Sequence, residues 1–288
     1  MENGTHNVKL DKSKLAAIPA EMLRHTEIES LSLFQNKLNE LPDALWQLTA
    51  LTSLNLGDNQ IAELGSDIGN LTRLRMLDLG HNALTALPDA LGKLIALSDY
   101  LYLSNNRLAA LPEALGALVR LKYLNVSDNR LTGLPNSIGC MGALVELRVY
   151  RNRLLSLPDS IGSLLRLKEF HAQKNRLSVL PEEIGNLANL RELDLADNEL
   201  TALPASIGNL AQLRRLNLRN NVITMLPPSI GALPQLTHLD LRNNPLRGLP
   251  DAISEISALE KLDLRWCQLD APPEWIDRLR ARGTVIYL

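Results

Sequence analysis

The chain has 288 residues, 45% of them hydrophobic, and a formal net charge of -2 at pH 7. This balance is typical of a nearly neutral globular protein and excludes a global electrostatic attraction to nucleic acid or anionic membranes. The length alone would allow two domains.

One pattern repeats along almost the whole chain, most clearly over residues 190–213. It reads L-x-x-L-x-L-x-x-N-x-L-x-x-L-P-x-x-I-G-x-L-x-x, with a step of 23 residues from one asparagine to the next and one step of 24 from Asn82 to Asn106. A fixed period of this length is typical of a solenoid, in which each unit packs on its neighbours. The asparagine recurs at Asn36, Asn59, Asn82, Asn106, Asn129, Asn152, Asn175, Asn198, Asn221 and Asn244.

Each repeat predicts a strand, a turn and a short helix. The L-x-L segment alternates with period two, so its leucines face the core and the residue between them faces outward. The asparagine amide lies at the turn, where it can both donate to and accept from unpaired backbone groups. A proline, often followed by a carboxylate, is predicted at the first helical position. The recurrent glycine that follows indicates close packing between neighbouring crossovers.

These residues carry a resemblance to a known family. Asn198, with Leu193 and Leu195 before it and Pro204 and Gly208 after it, resembles the leucine-rich repeat. The 23-residue form is similar to intracellular Ras-group-related and bacterial leucine-rich repeat proteins. The resemblance implies an α/β leucine-rich-repeat solenoid, a curved horseshoe with a concave parallel β-sheet and short convex helices. It also implies binding rather than catalysis.

We therefore predict a single leucine-rich repeat domain over residues 1–288. A degenerate N-terminal unit covers about 8–27, regular repeats cover about 28–272, and a C-terminal cap covers about 273–288, with Trp275 and a final strand. Cys267 takes the asparagine position in the last repeat, where a thiol can act as a weak donor, so a structural cysteine is favoured over a nucleophile. Cys140 lies far from it along the stack, so no disulfide is expected.

The chain departs from its period once, near Asp99. One extra residue lies between Leu97 and Leu101, just before a predicted strand. An added residue there predicts a bulge or a widened corner, which can redirect side chains. A neutral loop insertion is the alternative.

The outward strand positions contain most of the tyrosines of the chain. Tyr100, Tyr102, Tyr123 and Tyr150 fall on one predicted face within three neighbouring repeats, with Arg148 beside them. Tyrosine and arginine are enriched among interface hot spots, so we predict a partner-binding patch there. A tyrosine-rich surface without a partner is the alternative.

A second group of outward residues carries charge. Arg219, Arg242 and Arg265, with Trp266 beside the last, run next to aspartates. They predict either mutual neutralisation or a site for a mixed-charge protein surface. His171, which lies near Glu146, Glu169 and Arg148 in this pattern, is included among the partner-binding candidates.

Enzymatic and metal-binding functions find little support in the sequence. No serine or cysteine takes a phase that matches His171, and no glycine loop is of the phosphate-binding kind. The histidines are scattered, so metal ligands lack useful spacing. We therefore predict no catalytic residues, no cofactor-binding residues and no metal site.

The prediction for function is a non-catalytic module or scaffold that binds a protein partner on its concave face, in intracellular signalling. We expect a monomer that binds neither nucleic acid nor membrane. The chain shows no apolar run of signal-peptide length and none of the roughly 18 residues of a membrane span, so a cytoplasmic location is expected. For a secreted effector this would be the host cytosol.

Two alternatives stay open. The chain could be the substrate-recognition domain of a larger effector, kinase or ligase, or a consensus-like structural solenoid that has no specific partner.

Overall fold

The computed structural model describes residues 6–288, which fall into two compact units, residues 6–144 and 145–288. Each unit contains one parallel sheet segment with a three-residue strand per repeat and neighbouring strands paired in register. The strands of the first unit are β1 Asn7–Lys9, β2 Ser30–Ser32, β3 Ser53–Asn55, β4 Met76–Asp78, β5 Tyr100–Tyr102 and β6 Tyr123–Asn125. Those of the second are β7 Glu146–Arg148, β8 Glu169–His171, β9 Glu192–Asp194, β10 Arg215–Asn217, β11 His238–Asp240, β12 Lys261–Asp263 and β13 Val285–Tyr287.

The crossovers between strands contain short 3₁₀ helices, which refines the predicted helices. In the first unit they are Met22–Arg24, Asp43–Gln47, Ser66–Asn70, Asp89–Lys93, Glu113–Ala117 and Asn136–Cys140. In the second they are Asp159–Ser163, Glu182–Asn186, Ala205–Asn209, Pro228–Ala232 and Asp251–Glu255, followed by α1 Ile276–Ala281.

The proline position was predicted wrongly by one residue. Pro88 precedes its helix in an extended conformation, with φ -73° and ψ 147°, and the helix begins at Asp89. The Pro88 carbonyl accepts the N–H of Leu91 at 3.0 Å. The rigid ring thus fixes the chain direction just before the turn, and its missing N–H costs no hydrogen bond there.

The apolar positions form the core as the alternation predicts. Leu54 and Leu193, the central residues of β3 and β9, are 1% and 0% exposed. The crossover glycines have the predicted packing reason, because a Cβ at Gly92 would lie 2.4 Å from the Ala114 carbonyl oxygen. At Gly162 the corresponding distance to the Glu183 carbonyl oxygen would be 2.3 Å.

The asparagine side chains join neighbouring repeats, as predicted. Asn129 Oδ1 accepts the N–H of Leu108 at 3.0 Å, and its Nδ2 donates to the carbonyls of Leu103 at 2.9 Å and Val126 at 3.1 Å. Cys267 fills the same role in the last repeat, where its Sγ donates to the Leu241 carbonyl at 3.2 Å. Burial raises the pKa of this thiol, which disfavours the nucleophilic thiolate.

The C-terminal segment contains the features expected of a cap. Trp275 is 2% exposed and Leu279 of α1 is fully buried. The predicted final strand is β13, which pairs in parallel with β12.

Candidate functional site

Three of the predicted tyrosines form a contiguous group on β5 and β6, which we call the tyrosine cluster: Tyr100, Tyr102 and Tyr123. Their backbones place them together because Tyr100 pairs with Tyr123 in register and Tyr102 flanks the buried Leu101 on the outward face. The ring centroids of Tyr100 and Tyr102 are 4.7 Å apart, and those of Tyr102 and Tyr123 are 5.1 Å apart. The rings are tilted by 44° and 60°, within the range that favours aromatic contact.

Asp78 on β4 borders this cluster, directly opposite Tyr102 in the register. Burial raises the pKa of the Asp78 carboxyl. A hydrogen bond from the Gly80 N–H at 2.9 Å and the charge of nearby His81 lower this pKa, but burial outweighs them. Burial also raises the pKa of Tyr100, and the negative charge of Asp78 raises it further. Among the residues that the structure describes, no ion pair is formed by Asp78.

Sequence reasoning missed Asp78 as a site residue. The sequence did contain a signal for it. Arginine follows Asp240 and Asp263 two positions later, whereas Gly80 stands at that position after Asp78. Gly57 on the other side also lacks a side chain, and a Cβ there would lie 3.1 Å from Asp78 Oδ1. The carboxylate therefore lies between two positions that have no side chains.

The extra residue lies at the corner before β5. The N–H groups of Ser98 and Asp99 both donate to the Arg75 carbonyl, at 3.2 and 3.1 Å. The Asp99 carboxylate lies 3.4 Å from the Arg75 guanidinium. Met76 still pairs with Tyr100, so the insertion is accommodated before the strand and leaves the register of the tyrosine cluster unchanged.

The other candidates of the predicted tyrosine patch belong to the second unit. Arg148 Nε donates to Glu146 Oε1 within its own strand, and Tyr150 follows that strand, half-buried. His171 Nε2 lies 3.4 Å from Glu169 Oε2 on β8.

One group in the second unit offers metal-ligand atoms. The spacing of the histidines alone, on which the prediction from sequence rested, did not identify this group. Glu146, Glu169 and His171 place one ligand atom each within 4.8 Å of one another. The two glutamates are 23 residues apart and pair in register, and this spacing is the signal that could have identified them. The positive guanidinium of Arg148 already pairs with Glu146 and opposes the approach of a cation.

The predicted arginines are engaged by carboxylates of the same unit. Arg242 Nε donates to Asp240 Oδ1 at 2.9 Å, and Arg265 Nε donates to Asp263 Oδ1 at 2.9 Å. Burial raises the pKa of Asp263, but hydrogen bonds from Arg265 and the charges of Arg242 and Arg265 outweigh it, so its pKa is lowered. These contacts are those that mutual neutralisation predicts.

The remaining two candidates differ from this pair. Arg219 lies 3.6 Å from the Asp197 carboxylate, and its Nε is buried without a hydrogen-bond partner. Trp266 is 69% exposed, and its ring centroid lies 5.7 Å from the guanidinium of Arg265. The outward face of this unit also has a depression of about 190 Å³, lined by polar and charged side chains that include Arg215, His238 and Asp194.

Within residues 6–288, no helix has the length and apolar character needed to cross a membrane.

Family models and solved structures identify what the chain is similar to. The model described as "Leucine rich repeat" matches residues 4–61, 99–154, 165–223 and 211–269. The model described as "Leucine Rich repeats (2 copies)" matches residues 49–93. No curated protein sequence matches the chain at a significant level.

Three solved structures illustrate the similarity. A leucine-rich repeat protein of Leptospira interrogans is 29% identical, with a TM-score of 0.70 over 96% of this chain and 82% of that one. The plant peptide hormone receptor RGFR1, solved in complex with RGF2, is 27% identical, with a TM-score of 0.68 over 88% of this chain and 50% of the receptor. An internalin of Listeria monocytogenes is 22% identical, with a TM-score of 0.72 over 98% of this chain and 86% of that one, which shows the fold alone.

Proposed function

The chain belongs to the leucine-rich repeat family, and from this premise we propose that it is a non-catalytic interaction module that binds a protein partner. The partner would lie on the outward face of the strands, which the family fold implies to be concave. The family and the receptor among the similar structures support a protein-interaction scaffold. We further propose that the chain acts as a single domain and a monomer, in the cytoplasm, as part of a signalling pathway.

The tyrosine cluster is the observation that carries this proposal. The strand register and the ring contacts group three half-buried aromatic side chains on the outward face, although the core beneath them needs only leucines. Grouped aromatics of this kind are the usual centre of a protein interface, where each truncation costs about 2 kcal/mol or more in binding. In the second unit, we also propose partner contacts at Tyr150, Arg148, His171, Arg219, Arg242, Arg265 and Trp266.

The test compares partner capture by the wild type and by the double variant Tyr102→Ala with Tyr123→Ala. We expect each truncated ring to cost roughly thirtyfold or more in affinity, so the double variant should lose the partner while its unfolding midpoint changes little. The matched control is Asp89→Ala with Asp159→Ala, because both carboxylates are exposed on the crossover helices. Glu113 is unsuitable as a control because its carboxylate accepts the N–H groups of Asn136 and Ser137.

A photo-crosslinking amino acid assigns the face directly. Placed at Tyr102, it should attach covalently to the partner, and placed at Asp89 it should not. Crosslinking from Asp89 together with retention of the partner by the tyrosine variant would refute the proposal.

A further inference from the structure

We infer that Asp78 and the tyrosine cluster form a binding site for an arginine side chain of a protein partner. This inference rests on the proposed function and specifies the chemistry that the partner presents. It comes from comparing Asp78 with three other strand aspartates of the same chain.

The four aspartates share one local geometry. Each occupies the last position of its strand, and its Oδ1 accepts the backbone N–H of the residue two positions later. The donor-acceptor distances are 2.9 Å for Asp78, 3.1 Å for Asp194, 3.2 Å for Asp240 and 3.4 Å for Asp263. The Cα of the residue two positions later therefore lies in a similar place relative to each carboxylate.

Two of these carboxylates are neutralised by an arginine at that second position. Arg242 forms side-chain hydrogen bonds to Asp240, and Arg265 forms them to Asp263 at 2.9 and 2.7 Å. The guanidinium of Arg265 also lies 4.9 Å from the ring centroid of Tyr287 on the neighbouring strand. The second unit thus contains an arginine held between a strand carboxylate and a tyrosine ring.

The first unit contains an aspartate in the same strand position, with a tyrosine opposite it on the next strand, but no arginine at the second following position. The residue two positions after Asp78 is Gly80, which leaves that place without a side chain. Tyr102 lies directly opposite Asp78 on the next strand, in contact with the rings of Tyr100 and Tyr123. The burial that raises the pKa of Asp78 is an electrostatic cost that a bound cation would offset.

Asp194 provides an internal comparison. It is followed at the second position by Ala196, and burial raises its pKa as well. His171 and Asn217 lie near this carboxylate in place of a tyrosine cluster. Asp194 therefore has the charge of the site but not its aromatic part.

A guanidinium fits this arrangement better than an ammonium group. Its planar donors match both oxygens of a carboxylate, and its face stacks on aromatic rings. The arrangement of Arg265, Asp263 and Tyr287 shows that this chain already uses that combination.

Nuclear magnetic resonance of protein labelled with ¹³C in its tyrosine rings tests the inference without a partner. The probe is N-acetyl-arginine methylamide, and N-acetyl-citrulline methylamide is a neutral control of nearly the same shape. We expect the arginine probe to shift the Tyr100, Tyr102 and Tyr123 ring signals in a saturable, salt-sensitive way, and the citrulline probe to bind at least about tenfold more weakly. The Tyr287 signal should stay unchanged because Arg265 already lies beside that ring.

Two variants identify the residues responsible. Asp78→Asn keeps an acceptor for the Gly80 N–H but removes the charge, so it should weaken binding of the arginine probe at least about tenfold, whereas Asp194→Asn should leave it unchanged. Gly80→Arg should place an internal guanidinium on Asp78 and block the probe. Gly80→Ala controls for the added Cβ, which would lie 3.2 Å from Asp78 Oδ1 and 3.4 Å from Ser104 Oγ.

Equal binding of the citrulline probe, or unchanged binding in folded Asp78→Asn, would overturn the inference. So would a failure of Gly80→Arg to block the probe. These results are separable from the proposed function. If the tyrosine variants lose the partner but the arginine probe does not bind, the proposed interface is supported and the arginine site is refuted. If the arginine probe binds but the tyrosine variants retain the partner, the arginine site is supported and the proposed interface is refuted.

Discussion

Replacing Asn129 by alanine should destabilise the fold far more than its size suggests. The substitution removes the acceptor of the buried Leu108 N–H, for which the Asn129 Oδ1 at 3.0 Å is the partner. It also removes a donor from the carbonyls of Leu103, Val126 and Ser127. Of these, Leu103 still accepts from Asn106 Nδ2 and Ser127 still accepts from the Asn105 N–H. The main cost is therefore one stranded donor in the core.

The magnitude follows from this count. A buried donor without an acceptor costs about 1–3 kcal/mol, and the weakened carbonyls add roughly 1 kcal/mol more. For a chain of this size, 1 kcal/mol corresponds to about 2 °C in the unfolding midpoint, so we expect a decrease of about 4–8 °C.

Calorimetry and urea unfolding measure this change, with Thr132→Ala as the control because Thr132 is exposed in the same repeat. Ser127 is unsuitable as a surface control, because it is fully buried and its Oγ donates to Asn125 Oδ1 at 2.7 Å. Tryptophan fluorescence adds a local signal, since Trp46 is buried in the first unit and Trp275 in the second. Equal midpoints for Asn129→Ala and Thr132→Ala would refute the reasoning.

Three further outcomes are expected. Gly162→Ala should destabilise the protein by about 1–3 kcal/mol because its Cβ would meet a backbone carbonyl, whereas Gly248→Ala, with no atom within 4 Å, should be neutral or slightly stabilising in thermal unfolding. Deletion of residues 273–288 should expose the apolar end of the preceding repeat and cause association, and a monodisperse monomer in light scattering would show that the segment is not a cap. Burial raises the pKa of Asp78 in the folded state, so the charged carboxylate lowers the free energy of unfolding at pH values above that pKa. Asp78→Asn should therefore be more stable than the wild type at pH 7, and the difference should disappear as the pH falls below the unfolded pKa; a difference independent of pH would contradict this.

The repeat could be predicted from sequence because its fold-determining residues act within one unit or between identical positions of neighbouring units. Leucines that alternate with outward residues specify the strand, and the asparagine specifies the turn and the bonds across it. The helix type was less accessible, because a five-residue segment such as Asp89–Lys93 is too short for periodicity to distinguish a 3₁₀ turn from an α-helix. The proline position was wrong because either side of the helix start accepts a residue without an N–H.

The candidate site was only partly predictable for a different reason. Outward residues can be counted in columns from the sequence, which identified Tyr100, Tyr102 and Tyr123 as neighbours. Whether an outward charge is already neutralised depends on side-chain geometry within and between strands. That geometry assigns Arg242 and Arg265 to their own aspartates, and it identifies Asp78 as a half-buried carboxylate without an ion pair among the described residues.

This separation between core and surface gives the protein a way to acquire binding without loss of fold. The leucines and the asparagine amides hold each strand in place whatever side chain lies on the outward face. An aspartate at the last strand position is then compatible with the fold whether glycine, alanine or arginine follows two residues later. When arginine follows two residues later, as after Asp263, the charge is satisfied within the chain. When glycine follows, as after Asp78, no side chain at that position offsets the electrostatic cost of burial, and in the proposed site a bound guanidinium does so. The residue at this one position, Gly80, therefore distinguishes the proposed arginine site from the aspartates that are neutralised within the chain.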